Sequence, residues 1–108
     1  MTNDAFRKLA VSFPGVIESP HFEKSSFRIN NKIFVTHDVS RQRACVKLSE
    51  IDQSVFCAID KSIIYPVDNK WGKQGWTLLE LTKIKKTLLK DVLSKAYEHV
   101  SKGKSFKK

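Results

Sequence analysis

Hydrophobic positions at the start of the chain recur at helical spacing. Phe6, Leu9, Ala10 and Phe13 fall three and four apart, with Arg7 and Lys8 turned the other way. That period predicts an amphipathic helix over 3–13, capped by Asn3 or Asp4 and ended by Pro14-Gly15. The stretch 16–24 is irregular and interrupted by Ser19-Pro20. It suits an edge strand better than a central one, because proline donates nothing to a ladder. Two further runs, 25–30 and 32–38, meet at Asn30-Asn31, residues that tolerate the positive φ of a tight hairpin. A two-residue turn there pairs Ile29 with Lys32, Arg28 with Ile33 and Phe27 with Phe34. Phe27, Ile29, Phe34 and Thr36 then share one face, and Arg28, Ile33, Val35 and His37 the other. A slip of one residue would reverse the assignment.

Over 41–48, Arg43, Cys45 and Lys47 alternate with Ala44, Val46 and Leu48, the pattern of a strand with one buried and one wet face. Ser49 caps a predicted helix to about residue 59, with Asp52 at the third position and Ile51, Val55, Phe56 and Ile59 as its apolar side. Two apolar runs, 62–67 and 76–81, predict strands. The polar segment between them reads as a hairpin or wing in which Gly72 and Gly75 permit positive φ. Trp71, between Lys70 and Lys73, is either a lid packed over the sheet or an exposed platform. Thr82 caps a last helix over 83–101. Its apolar stripe runs from Ile84 through Leu88, Leu89, Val92, Leu93, Ala96 and Tyr97 to Val100, with Lys83, Lys86 and Lys90 opposite.

This order predicts an α+β fold, an antiparallel sheet with N- and C-terminal helices packed on one face. A chain of 108 residues suits one domain, here 1–101, followed by a flexible basic tail over 102–108. No apolar run approaches the ~20 residues of a membrane span, and the N-terminus shows no signal-peptide pattern. Cys45 and Cys57 form no CxxC pair, which suits a reducing cytoplasm. The net charge of +9 is unevenly placed: residues 1–81 carry 11 Lys+Arg against 9 Asp+Glu, and residues 82–108 carry 9 Lys against Asp91 and Glu98.

Candidate chemistry is sparse. His21, His37 and His99 are far apart and have no metal-ligand spacing, so no metal or cofactor is expected. His37 reads as a surface strand residue, and Cys45, beside Arg43 and Lys47, reads as a thiol of lowered pKa with no base to make it a nucleophile. No phosphate loop and no carboxylate pair is visible, so no enzyme is expected. Binding remains. Arg28, Arg43 and Lys47 are placed on the open sheet face with Ile33 and Val35, and Lys70, Trp71 and Lys73 on a wing at its edge. Cations track phosphates and exposed aromatics stack on bases, so these six residues are the candidate nucleic-acid contacts. The alternative is a protein- or small-ligand-binding module on the same face.

The chain also resembles the YjbR/MmcQ family of small bacterial proteins over about residues 3–101. The resemblance rests on Phe13-Pro14-Gly15-Val16, Pro20-His21-Phe22, Ser26-Phe27-Arg28 and Lys32-Ile33-Phe34-Val35. It continues through Lys47-Leu48, Lys70-Trp71-Gly72, Gly75-Trp76 and Ala96-Tyr97. It implies a frataxin-like (CyaY-like) fold, with a sheet comparable to the double-wing DNA-binding domain of a phage transcription activator. The partner it implies is DNA; the expectation is a cytoplasmic monomer that binds duplex DNA with little sequence specificity. Iron binding of the frataxin kind does not follow, because the first helix carries only Asp4 among acids, beside Arg7 and Lys8.

Overall fold

The structure, a computed structural model, describes residues 1–21 and 24–102, with only the backbone of His21. The expected tail beyond Lys102 lies outside the described residues. Among the described residues, four helices and six strands follow in the order α1 (Asn3–Val11), β1 (Ile17–His21), β2 (Lys24–Ile29), β3 (Lys32–Asp38), β4 (Arg43–Lys47), α2 (Glu50–Cys57), β5 (Ile64–Pro66), α3 (Lys70–Lys73), β6 (Trp76–Glu80) and α4 (Lys86–Lys102). The strands form one antiparallel sheet in the order β1-β2-β3-β4-β6-β5. The two strands that contain a proline, Pro20 on β1 and Pro66 on β5, are its edges, where a missing N–H is tolerated.

One face of the sheet carries Phe27, Val35, Ala44, Val46 and Leu79, all buried. Phe6 and Ala10 of α1 and Leu89, Val92, Leu93 and Ala96 of α4 belong to the same buried cluster. The fold is therefore α+β with its terminal helices packed on one side of the sheet. The motif Phe13-Pro14-Gly15 is explained by this packing. Phe13 stacks on Tyr97 at 5.1 Å between ring centroids, and the Tyr97 hydroxyl donates to the Pro14 carbonyl, tying the end of α1 to α4.

The β2–β3 hairpin begins as the sequence predicts. Asn30 and Asn31 have φ of 54° and 66°, Ile29 opposes Lys32, and Arg28 opposes Ile33. A bulge then places Val35, not Phe34, opposite Phe27. Two residues on β3 now answer one on β2, so the side-chain alternation changes phase. Val35 and His37 consequently lie on the helix side and Thr36 on the open side, the reverse of the expected faces. His37 is 3% exposed rather than a surface residue. Its ring lies 4.5 Å from that of Phe6, and its Nε2 is 3.0 Å from Asn3 Oδ1. Desolvation holds its pKa below the ordinary value, against the weaker opposing pull of Asp38 and Glu18.

Other corrections are local. Thr2, not Asn3 or Asp4, caps α1, accepting from the Ala5 amide at 3.1 Å and leaving Asn3 to meet His37. Ser49 caps α2 as expected, accepting from Asp52 N at 3.1 Å. Yet Ile51, Val55 and Ile59, read as its core side, are 76%, 57% and 56% exposed, and only Phe56 and Cys57 pack against the core. The last helix starts at Lys86, three residues later than its pattern suggests, with Ile84 buried in the turn before it.

Candidate functional site

The face of the sheet away from α1 and α4 is open, and alternation decides what it displays. On β4, Arg43, Cys45 and Lys47 point outward while Ala44 and Val46 point into the core. On β6, Trp76, Leu78 and Glu80 point outward while Thr77 and Leu79 are buried. Register sets Cys45 beside both Thr36 and Leu78, and Lys47 beside Trp76. The result is a groove of about 440 Å³ with an apolar floor of Ile33, Thr36, Cys45 and Leu78, walled by Val67, Trp71 and Trp76 and rimmed by Lys24. A smaller hollow of about 140 Å³ continues it past Thr36 and Cys45 to Asp38, Arg41 and Arg43.

The expected wing does not project. Residues 70–73 form a single helical turn, α3, started by Asn69, whose Oδ1 accepts from Trp71 N at 2.8 Å. Gly75 has φ of +105°, as the hairpin reading requires, but Gly72 is needed for a different reason. A Cβ on Gly72 would stand 2.0 Å from the Val67 carbonyl oxygen, and one on Gly75 would stand 2.0 Å from that of Leu48. Both positions allow backbone to lie on backbone, so α3 is docked against the ends of β4 and β5. Gln53 of α2 reinforces the joint. Its Nε2 donates to Gly72 O at 2.8 Å and to the buried Thr77 Oγ1 at 3.0 Å, and Thr77 donates onward to Gly75 O at 3.0 Å. Trp71 is thereby held as a groove wall, 49% exposed, which combines features of both sequence readings.

The six candidate contacts fall on or beside this face in different electrostatic states. Arg43 Nε lies 2.9 Å from Glu80 Oε2, a charge contact without hydrogen-bond alignment, and the Tyr65 hydroxyl donates to the same carboxylate oxygen. Lys47 donates to Gln74 O at 2.6 Å and lies over the Trp76 ring at 5.5 Å, and partial burial lowers its pKa. Arg28 is held near its own strand, Nε donating to Ser26 Oγ at 3.3 Å. Lys70 sits over the Trp71 ring at 6.0 Å, and Lys73 is exposed on the same turn. Among the described residues, Arg28, Lys70 and Lys73 make no ion pair with a carboxylate.

Cys45 departs from expectation. It lies on the outward face but is largely covered by its neighbours, and desolvation raises its thiol to about 11 against a smaller downward pull from Lys24. Sequence reasoning also missed Lys24, Leu78 and Trp76 as groove residues. The alternation Trp76-Leu78-Glu80 against Thr77-Leu79 carried the signal for two of them. Among the described residues, no group of three His, Cys, Asp or Glu is arranged to hold a metal ion, and no helix is long and apolar enough to cross a membrane.

The same architecture occurs elsewhere. A crystal structure of Deinococcus radiodurans protein DR2400, family-model domain DUF419, superposes with a TM-score of 0.81 at 20% identity, covering 97% of this chain and 81% of that one. At that identity the likeness is one of fold. No curated protein matches the sequence. The YjbR family model matches residues 11–99, from the end of α1 almost to the end of α4. With most of its length inside that match, the chain belongs to the YjbR family.

Proposed function

We propose that the protein is a non-enzymatic DNA-binding module of low sequence specificity that uses the open sheet face. The observation that carries this reading is the pairing of tryptophan and lysine at one end of the groove: Trp76 beside Lys47 and Trp71 beside Lys70. Flat aromatic surface suits bases, and the adjacent cations suit phosphates. Arg28, Lys70 and Lys73 make no ion pair with a carboxylate among the described residues and supply most of the phosphate contacts. Arg43 is already compensated by Glu80 and contributes less than its position in the sequence suggests. The lysines of α4 lie on the other layer of the fold and add attraction at long range.

The test is fluorescence anisotropy of labelled DNA titrated at about 50 and about 200 mM salt. Micromolar or tighter binding that weakens steeply with salt is expected. Lys70→Ala with Lys73→Ala should flatten the slope by about one unit for each phosphate left without its lysine. Absence of binding at the lower salt overturns the reading. The apolar floor of Ile33, Cys45 and Leu78 favours a second reading, a small-ligand or peptide site on the same face. That site would show saturable tryptophan quenching insensitive to salt.

A further inference from the structure

We infer that the groove takes unpaired bases, so that the preferred nucleic acid is single-stranded rather than duplex. The inference rests on the nucleic-acid reading above and narrows its substrate. Three observations lead to it. First, among the described residues, the open face presents no helix long enough to enter a duplex groove. The major groove is about 8.5 Å deep, and the helix beside this face is the four-residue α3, locked down through Gly72 against Val67 and Gln53. Second, the tryptophans are walls of a concavity, not wedges at a tip. A ring so placed can stack only on a base whose face is already exposed, and in a duplex those faces are covered by neighbouring pairs.

Third, charge and apolar surface alternate across the face as a single strand requires. Lys47 and Lys70 each sit over one tryptophan, and the remaining aromatic surface adjoins the floor of Ile33 and Leu78. Lys24 marks the far rim, on β2, three strands from Trp76 on β6. At a strand spacing of about 4.8 Å, the groove is roughly 14 Å across. A short run of nucleotides can therefore place bases on the floor and phosphates at both rims. Stacking of this kind tolerates any base and needs no hydrogen-bond readout.

The experiment compares four labelled probes of about ten nucleotides: oligothymidylate, oligouridylate, a duplex, and an abasic deoxyribose-phosphate chain that keeps the phosphates and lacks the bases. Each is titrated against the full chain and against Trp71→Ala and Trp71→Phe, with circular dichroism confirming the fold. The expected result is binding of oligothymidylate or oligouridylate about tenfold tighter than duplex or abasic chain. Trp71→Ala should remove most of that advantage and Trp71→Phe should keep it. A difference between the first two probes tells whether the sugar is read. Equal affinity for single strand, duplex and abasic chain overturns the inference and leaves the general nucleic-acid reading standing. So does a single-strand preference unchanged in Trp71→Ala. No binding to any probe at low salt removes both.

Discussion

Gly72→Ala tests whether α3 is docked as described, because its cost is steric and not conformational. Gly72 is not in the positive-φ region, so alanine brings no backbone penalty. The new methyl would lie 2.0 Å from the Val67 carbonyl oxygen and 3.0 Å from its carbon, both in backbone that has no rotamer to change. Restoring a tolerable separation requires α3 to move out by roughly 1 Å, which stretches the Gln53–Gly72 bond from 2.8 Å beyond hydrogen-bonding range. Overpacking of this kind costs about 1–3 kcal/mol, and breaking the bond adds about 1 kcal/mol. The sum is about 2–4 kcal/mol, a large part of the stability of a domain this size. Urea unfolding followed by circular dichroism measures it, and the emission maximum of the native state reports whether Trp71 has moved. A variant within about 0.5 kcal/mol of the parent, with unchanged emission, would refute the docking of α3.

Three further outcomes are expected. Below the ordinary histidine value, the unfolded chain takes up a proton that folded His37 resists, so stability is full above about pH 6.5 and falls as pH drops below it. The unfolding free energy of the parent should fall relative to that of His37→Phe from pH 7.5 to about pH 5; a difference independent of pH contradicts the burial of a neutral imidazole. Cys45, with its thiol raised to about 11 from 9.0, carries roughly a hundredfold less thiolate than an ordinary cysteine near pH 8. Alkylation followed by mass spectrometry should show Cys45 reacting far more slowly folded than in urea, and equal rates would overturn its placement. Ile51→Ser and Val55→Ser should each change stability by no more than about 0.5 kcal/mol, whereas Phe56→Ala should cost about 2 kcal/mol, all read from urea midpoints.

What was legible in the sequence follows from how locally each feature is determined. The alternation Arg43 to Leu48 specifies both faces of β4 without reference to any partner, and Ser49 specifies the start of α2 through a bond three residues away. The edge placement of β1 follows from Pro20 alone. The β3 faces were not legible beyond Ile33, because a bulge is chosen by the packing of Phe34, which lies in contact with Phe13 and Tyr97 from opposite ends of the chain. Ile51, Val55 and Ile59 carry a helical period that no described part of this fold covers, so periodicity alone could not give their exposure. At the site, the placement of Arg28, Arg43 and Lys47 on one face was legible from alternation. The compensation of Arg43 by Glu80, the tether of Lys47 to Gln74, and the covering of Cys45 were not, since each depends on the β4–β6 pairing or on the turn beyond it.

In the proposed function the ligand lies on the open sheet face and not on the more strongly charged C-terminal helix, and chemical-shift mapping decides between the two. Adding an unlabelled oligonucleotide to nitrogen-15-labelled protein should shift the indole N–H signals of Trp71 and Trp76. The amides of Ile33, Thr36, Cys45 and Leu78 should move with them, while those of Lys86, Lys90 and Lys95 stay nearly still. Shifts confined to the α4 lysines, with both indoles unmoved at saturation, would contradict the assignment of the groove as the binding site.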